Sequence, residues 1–500
     1  MRNRFRCLAL LAFAVPALAQ LEEQGPKQSA PSGLLAGVAR ADITPPSGIA
    51  HLNWGSQTHV EAIGSEASGL IATVLVLSDG KQKFVMADLD AVLAEDFEAA
   101  IPEAAARSGI PAAHIRIGVS HTHAGPGLRV EKGPPGLDMA FHKRMFENYR
   151  RTVQDKIIGA IVEAGSRLEP AHIYGRKGTG SININRRFRA AGGNPPAVGR
   201  NPEGFLDRDL LVLRIDDAVG KPIAVLVNYQ CHGTVMGYAN RFISSDWIGP
   251  MRRTVEQSLP GSKCLFFQGA AGNQGPIEGF TGDLGVATRL GSILGHEAAA
   301  LALRTETVRR EPLFEGYVES TAYQAKQYWR VAGPRPSQLR LVRKTIDVPR
   351  RRYSPEDIKE AQASVEEATR QLQAANASGD KWKIYQLEAR LRRFSDLLKM
   401  RKTPLDPSPR QIALQVLRIG DIAVFSMPGE PFAEIGAAIK KASPFAITLF
   451  CGYSSGRGGD YIPVAEEYVH GGYEVGRTPY DPGTDRRIIE EGIKLLKEAK

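Results

Sequence analysis

Residues 114–127 read HIRIGVSHTHAGPG, an apolar run followed by two histidines and a loop of glycine and proline. A strand that ends in polar residues and such a loop is typical of sheets covered by helices, where functional groups follow the carboxyl ends of the strands. In an extended chain His121 and His123 project to the same side, which is a common way to present imidazole nitrogens to zinc. The pair alone is equally compatible with two hydrogen-bonded loop histidines.

On both sides of this stretch, apolar runs of strand length alternate with helical patterns. The runs that predict strands are 71–78, 83–90, 210–216, 222–230, 263–269, 411–420, 421–427 and 445–451. The patterns that predict helices are 95–109, 139–167, 247–258, 283–303, 431–441 and 485–499. This alternation predicts an α/β fold, a catalytic domain over 35–500 built on a mixed β-sheet covered by helices.

The segment 354–402 interrupts this alternation with two amphipathic stretches joined by the short polar sequence NASGD. Ser354 precedes Pro355 and Asp357, which predicts an N-terminal cap for the first stretch. The segment is therefore predicted to be an antiparallel helical hairpin inserted in the catalytic domain. It is interpreted as a surface element, with partner binding as the alternative.

The amino terminus has the pattern of a secretory signal peptide. Three arginines precede the apolar run CLALLAFAVPALA, and Ala17 and Ala19 satisfy the small-residue rule for cleavage after Ala19. The sequence thus predicts a signal peptide over 1–19, a flexible polar leader over 20–34, and a secreted or periplasmic protein. An uncleaved anchor is the alternative, and the shortness of the apolar core argues against it.

The composition is that of a folded protein: of the 500 residues, 43% are hydrophobic and 24% are charged, which excludes disorder. Removal of the signal peptide lowers the formal charge from +10 to +7, because it carries three arginines and no acidic residue. This mild excess is compatible with peripheral contact with a membrane surface. The sequence contains no basic run with interleaved aromatic residues, which is the pattern that indicates nucleic-acid binding.

Three cysteines remain after the signal peptide, at positions 231, 264 and 451. Two of them lie in or beside apolar strand runs, KCLFFQ and ITLFCGY. They are predicted to be buried thiols rather than a disulfide framework.

Three further segments place a polar side chain after a predicted strand. His232 follows VLVNYQC, Glu430 follows AVFSMPG, and Tyr461 lies in the glycine-rich loop after ITLFC. Each has a structural explanation: a satisfied buried histidine, a carboxylate that caps the helix expected from Pro431, and a tyrosine that packs a loop. Their coincidence with the histidine pair favours one shared site.

The sequence VSHTHAGPG resembles the HTHSGPG signature of the neutral, non-lysosomal ceramidase family. Matching blocks follow in the family's order and span most of 36–480 apart from the helical insertion. They are AGVARADITPP, SININR, QCHGTVM with NRFISSDWIG, MPGEPF, and GYSSGRGGDYIPVAEEYVHGGYE. The resemblance implies a zinc-dependent hydrolase that acts on a carboxamide such as a ceramide-like N-acyl lipid, or on an ester, with zinc-bound water as the nucleophile.

The resemblance also implies a role for individual residues. The zinc ligands that the resemblance implies are His121, His232, Glu430 and Tyr461. This set of imidazole, carboxylate and phenol groups suits Zn²⁺. His123 then lies beside the metal, either as a catalytic group that moves protons or as a residue that supports the ligands. Asn185 and Arg186 lie near the polar head of the substrate, and Arg186 is able to bind a hydroxyl or carboxylate there.

Two departures from the family pattern affect the expected substrate. The family's catalytic serine falls on Gly275, in GAAGNQGPIEG, so the catalytic contribution at this position is reduced to the backbone N–H groups of a glycine-rich loop. Family members continue into an immunoglobulin-like domain, which has no counterpart in the sequence up to Lys500. A smaller or more polar amide or ester is therefore as well supported as ceramide.

A second function remains open from the sequence. A non-catalytic, zinc-stabilised protein that binds envelope lipids or glycans is favoured by the missing serine. The retained ligand set and His123 favour the hydrolase.

Overall fold

The structure is a computed structural model that describes residues 32–190, 195–403, 406 and 408–500. The predicted signal peptide and the leader up to residue 31 lie outside these residues. Leu34, predicted to be the last residue of the leader, is the first residue of a strand.

The secondary structure alternates strands and helices along most of the chain. The strands are β1 (Leu34–Asp42), β2 (Gly64–Ser65), β3 (Ile71–Ser78), β4 (Lys83–Leu89), β5 (Ile115–Val119), β6 (Glu169–Thr179), β7 (Asn183–Phe188), β8 (Ala197–Asn201), β9 (Asp209–Asp217), β10 (Pro222–Tyr229), β11 (Phe242–Ile243), β12 (Lys263–Gln268), β13 (Gln274–Pro276), β14 (Val308–Val318), β15 (Gln324–Pro334), β16 (Leu339–Val348), β17 (Arg410–Ile419), β18 (Ile422–Ser426), β19 (Glu430–Pro431), β20 (Ile447–Cys451) and β21 (Tyr461–Ile462). The helices are α1 (Ala100–Ser108), α2 (Met139–Ser166), α3 (Ile248–Ser258), α4 (Leu284–Leu303), α5 (Pro355–Ser378), α6 (Lys381–Lys402), α7 (Ala433–Lys441), α8 (Gly472–Arg477) and α9 (Thr484–Ala499).

The largest sheet has eight strands in the order β12-β10-β9-β6-β1-β3-β4-β5. Its pairs are antiparallel except β10–β12 and β4–β5, which are parallel. The sheet is strongly coiled, because its two edge regions contact each other: the amide of Phe266 on β12 donates to Asp88 on β4 at 2.7 Å, and Gln268 donates to the carbonyl of Ser120 at 3.2 Å. The coiling brings the carboxyl ends of β5, β10 and β12 together.

A second sheet, in the order β16-β17-β18-β20, packs on one face of the first. The two sheets share an apolar cluster that includes Leu213 and Phe267 from the first and Val424 and Leu449 from the second. Helices α1 to α4 cover the other face of the eight-stranded sheet, and α7 and α9 cover the four-stranded sheet. The predicted α/β fold, a mixed sheet covered by helices, is confirmed. Within the described ranges, no helix combines the length and the apolar character that a bilayer crossing requires.

Several strands were not predicted from the sequence. The ribbon of β14 and β15 is an example: it leaves Tyr323 and Trp329 more than half exposed and carries many charged residues. A strand that is not covered by another layer has no buried face, and so it lacks the apolar alternation on which the prediction depends.

The segment 354–402 forms two helices, α5 and α6, that pack against each other. Ser354 caps α5 in a capping box with Asp357. On α5, the buried alanines recur every seven residues, at positions 361, 368 and 375, which forms a narrow seam against α6. Trp382 and Tyr385 of α6 pack against the apolar core beneath the eight-stranded sheet, so the hairpin is docked on the catalytic domain.

Cys231, Cys264 and Cys451 are buried and free. The prediction of buried thiols is confirmed. Cys7 lies outside the described residues.

Candidate metal centre

His121 and His123 follow β5 at the junction of the two sheets. Backbone hydrogen bonds hold both residues: the amide of His121 donates to Ala91 at 3.0 Å, and the amide of His123 donates to Gly233 at 3.1 Å. The predicted extended geometry is wrong here, because His121 has a φ of 60° in the left-handed region. This turn brings the Nε2 atoms of the two rings to 3.1 Å from each other. Left-handed backbone in a non-glycine residue is strained and is concentrated at functional sites.

His232 follows β10 and joins the same point. A parallel bridge between Thr122 and Gly233 aligns its segment with the histidine pair. The potential ligand atoms of His121, His123 and His232 all lie within 4.8 Å of one another. The structure thus brings three imidazoles together, one more than the predicted ligand set contained.

Glu430 and Tyr461 enter from a separate two-stranded sheet, whose strands β19 and β21 follow β18 and β20 of the second sheet along the chain. They are paired residues on the short parallel strands β19 and β21, so their side chains leave the same face. Glu430 Oε2 lies 3.2 Å from His232 Nε2 and 3.6 Å from His121 Nε2. The alternative role of Glu430 as a helix cap is not observed, because α7 begins at Ala433 without a side-chain cap.

Hydrogen bonds to the backbone fix the tautomer of two of the imidazoles. His121 Nδ1 faces the carbonyl of Val92 at 2.6 Å, and His232 Nδ1 faces that of Ala271 at 2.8 Å. A carbonyl oxygen only accepts, so each Nδ1 donates and each Nε2 presents a lone pair to the cluster. Such outer hydrogen bonds are the usual support of metal-binding histidines.

Burial keeps these rings neutral. It lowers the pKa of His121 to about 4, of His123 to about 3 and of His232 to about 4. Burial raises the pKa of Glu430, but His121, His232 and Arg186 outweigh it and hold the pKa below its usual range. The cluster therefore combines one carboxylate with converging lone pairs whose mutual repulsion a cation relieves.

The spacing of the donors fits a tetrahedral ion. Bonds of about 2.0–2.1 Å to nitrogen and oxygen place the ligand atoms about 3.3 Å apart. The observed separations are 3.1 Å between His121 and His123, 3.2 Å between His232 and Glu430, and 3.6 Å between His121 and Glu430. Imidazoles and a carboxylate are ligands that Zn²⁺ accepts, so the residues present fit a metal ion of this kind.

Arg186 lines the smaller of the two cavities that open on the cluster, and it also has partners within the protein. Its Nη2 donates to Tyr461 Oη at 3.0 Å, and its Nε donates to the buried carboxylate of Glu474 at 3.0 Å. Glu474 also accepts from Arg187 at 2.8 Å. Burial raises the pKa of Tyr461 well above its usual value, against the lowering effect of Arg186. Arg186 thus orients a neutral phenol at the edge of the cluster.

Asn185 and Gly275 lie on neighbouring strands but contribute differently. The Asn185 amide donates to the carbonyl of Phe205 and accepts from the backbone of Arg187, so it supports the loop and does not reach the histidines. Gly275, on β13, lies beside Arg186. A Cβ added at Gly275 meets the Cβ of Arg186 at 3.4 Å, which is ordinary contact.

Sequence reasoning missed two residues of the centre. The ring of Tyr453, with a φ of 51°, lies 4.6 Å from that of His121, and burial together with the charge of Glu430 raises its pKa well above the usual value. The second missed residue is Glu474, whose carboxylate accepts hydrogen bonds from both Arg186 and Arg187. Both stand in the quoted tyrosine block, but a phenol or carboxylate in a loop gives no signal of its partner until the sheets are packed.

Two cavities open on the cluster. The larger, about 930 Å³, is lined by His121, His123, Glu430 and Tyr461 and by a polar rim from several loops. The smaller, about 490 Å³, is lined by His123, His232 and Tyr461 and by a wall from α6. The helical hairpin is therefore part of the site's wall and not only a surface element.

Residues 35–281 match the family described as neutral/alkaline non-lysosomal ceramidase, N-terminal. The chain belongs to this family. The resemblance found in the motifs is confirmed, and the matched region carries the three histidines.

Curated neutral ceramidases match over shorter segments. Neutral ceramidase A of Dictyostelium discoideum is 28% identical over 167 residues, which cover 30% of this chain and 23% of that protein. Neutral ceramidase of Oryza sativa subsp. japonica is 26% identical over 238 residues, which cover 45% of this chain and 29% of that protein. The matched part thus spans less than a third of the length of these relatives.

The fold likeness extends further along the chain. The neutral ceramidase from Pseudomonas aeruginosa superposes with a TM-score of 0.59 at 19% identity, over 93% of this chain and 74% of that chain. A ceramidase complexed with C2 superposes with a TM-score of 0.61 at 18% identity, over 93% of this chain and 75% of that chain. The ceramidase fold therefore reaches beyond the region that the family description matches.

Proposed function

We propose that the chain is a zinc-dependent hydrolase that cleaves the amide or ester bond of an acylated substrate, with ceramide-like N-acyl lipids among the candidates. The observation that carries this proposal is the convergence of His121, His232 and Glu430 at ligand spacing, with His123 beside them, where two cavities meet. Membership of the ceramidase family supports the lipid class of the substrate.

The chain's own residues supply ligation, orientation and proton transfer. His121, His232 and Glu430 would hold the ion, and Tyr461, fixed by Arg186, would complete or leave its shell. When bound, Zn²⁺ supplies Lewis acidity toward a carbonyl oxygen and toward water. His123, which burial keeps neutral, accepts a proton at Nε2 and returns it to the leaving group.

The overall reaction is balanced with water alone. The oxygen of water bonds to the carbonyl carbon, the C–N or C–O bond breaks, and the leaving amine or alcohol departs with a proton. The products are a carboxylic acid and the amine or alcohol, and no oxidant or second substrate is needed.

Metal content and turnover test the proposal together. We expect about one zinc per chain by elemental analysis of the purified protein. We also expect release of fatty acid from at least one member of a panel of N-acyl and O-acyl lipids of equal chain length. Zinc-replete protein that is inert on the whole panel would favour the alternative of a zinc-stabilised protein that binds envelope lipids or glycans.

A serine at position 275 tests the correspondence with the family serine. Gly275→Ser fits sterically, since its Cβ makes only ordinary contact with Arg186. We expect the added hydroxyl to raise turnover of ceramide by about a hundredfold, the lower end of the range for a positioned catalytic group.

The matched control is Gly279→Ser, in the same loop, where a Cβ also meets only ordinary contacts. It should leave turnover unchanged. No gain in Gly275→Ser with zinc intact would contradict the correspondence at this loop.

We also propose that the protein is secreted or periplasmic. The support is the pattern of residues 1–19, which lie outside the described residues. Amino-terminal sequencing of the exported protein should give Gln20 as the first residue.

A further inference from the structure

The smaller cavity is lined by two unlike groups of side chains. The ring centres of Trp54 and Phe280 lie 5.6 Å apart, and that of Trp54 lies 5.1 Å from that of His123. Helices α6 and α8 contribute guanidinium groups to the same cavity. A ligand that fills this cavity is therefore in contact with both apolar rings and cations.

The α6 wall is one face of the helix. Gln386, Ala389, Arg390 and Arg393 line the cavity, and their spacing of three, four and seven residues places them on one stripe. The stripe is held in place, since Gln386 donates to the carbonyl of Ser56 at 3.4 Å. The loop that carries Trp54 is thereby tied to the hairpin.

Four arginines line this cavity, and none of its described lining residues is an acid. Arg186 is already neutralised by Glu474. Arg390 donates to Gln371, which is uncharged. The excess positive charge is therefore concentrated on α6 and on Arg477 of α8.

Arg393 and Arg477 are the arginines of this cavity for which the described residues provide no hydrogen-bonded or ion-paired partner within 4.0 Å. Their guanidinium carbons lie 4.7 Å and 5.9 Å from the centre of the same ring, that of Tyr473. In the described part of the chain, the ion pairs within 4.0 Å include neither arginine, and both side chains are exposed to the cavity. Burial and the charge of Arg477 lower the pKa of Arg393, against a raising effect of Tyr473. The two cations repel each other, and an anion between them removes that repulsion.

The acids near this pair lie outside ion-pair distance of it. Asp460 and Glu430 both raise the pKa of Arg477, but among the described residues their ion pairs within 4.0 Å are with Arg410 for Asp460 and with His121 and His232 for Glu430. The guanidinium group of arginine binds carboxylate and phosphate groups through two parallel hydrogen bonds. A carboxylate or phosphate of a ligand therefore suits the position between Arg393 and Arg477.

We propose that the substrate is an anionic amphiphile, whose apolar part lies against Trp54 and Phe280 and whose carboxylate or phosphate binds Arg393 and Arg477. This inference rests on the proposed hydrolase function and narrows its substrate class. It assigns the helical hairpin a role in specificity, since α6 supplies Arg393. A neutral acyl lipid leaves the two guanidinium groups unpaired.

Three substrates with the same acyl chain test the charge requirement: an N-acylglycine, an N-acylethanolamine phosphate and the neutral N-acylethanolamine. We expect kcat/KM for at least one anionic substrate to exceed that for the neutral one by about 10–100-fold, the range for hydrogen bonds to a charged group. The two anionic arms distinguish a carboxylate from a phosphate. Equal values for all three substrates would overturn the inference and leave the hydrolase intact.

Variants assign the effect to the cavity. Arg393→Gln and Arg477→Gln should each lower kcat/KM for the anionic substrate by about tenfold with the neutral substrate unchanged. The matched control is Arg392→Gln on the same helix, whose side chain pairs with Glu388 at 3.7 Å and does not line the cavity. Equal losses for neutral and anionic substrates would overturn the assignment.

A binding experiment separates this inference from the proposed function. Calorimetric titration should show tighter binding of decyl phosphate than of decyl phosphocholine, whose headgroup carries a compensating cation, and Arg393→Gln should remove the difference. If this result holds while no acyl substrate is cleaved, the proposed function fails and the anionic ligand stands. Equal binding of both probes would overturn the anionic ligand.

Discussion

His121→Ala is expected to abolish both metal binding and turnover. The substitution removes one of the three donors that would hold the ion, the one that lies 3.6 Å from Glu430, and so it leaves only His232 and Glu430 with Tyr461 at their edge. Lewis-acid stabilisation is worth several kcal/mol, and each 1.36 kcal/mol is tenfold in rate, so kcat/KM should fall by about a thousandfold or more. Elemental analysis and a fatty-acid release assay measure the two effects.

The control is His296→Ala, an exposed histidine on α4, which should retain metal and activity. Because His121 is buried in a strained turn, circular dichroism and a conservative variant, His121→Gln, should accompany the measurement. A folded His121→Ala protein that keeps its zinc and its wild-type rate would refute the proposed ligand set.

Glu474→Ala is expected to cause the largest loss of stability. Its carboxylate accepts from Arg186 at 3.0 Å and from Arg187 at 2.8 Å, and all three side chains are buried. Removal of one partner from a buried ion pair typically costs about 3–5 kcal/mol, because the remaining charge is left without compensation. The free energy of unfolding from urea denaturation should fall by this amount, and turnover should fall as well, since Arg186 then loses the group that positions it beside Tyr461.

Glu466→Ala is the matched comparison in the same segment. Glu466 pairs with Arg486 at 3.1 Å, but both side chains are largely exposed, and such pairs contribute about 0–1 kcal/mol. If Glu474→Ala destabilised the protein no more than Glu466→Ala does, the buried pair would not have the assigned structural role.

Much of the candidate metal centre could be predicted from the sequence, because its residues follow strands. His121, His232, Glu430 and Tyr461 stand after apolar runs that are recognisable without a structure, and in a sheet fold the strand ends meet at one edge. The family resemblance then selected them from other polar residues. The turn at His121 was not predictable, because a left-handed φ in a non-glycine residue has no pattern in the sequence.

Roles that depend on contacts between distant elements were also beyond the sequence. The periodicity of α6 indicates that Arg390 and Arg393 share a face, but not that this face lines the cavity beside His123. Arg186 was expected to contact substrate, and only the packing of β7 on α8 pairs it with Glu474. The strands β14 and β15 were not predicted, because neither strand buries a face and their many charged residues show no apolar alternation.

The three buried cysteine thiols can be used to measure local unfolding of the protein. Cys264 and Cys451 lie on strands of different sheets, and burial raises the pKa of both thiols, that of Cys451 to about 11. A maleimide or disulfide reagent therefore reaches them only when a strand detaches. The labelling rate of each sulfur, followed in the native chain, separates the opening of one sheet from that of the other.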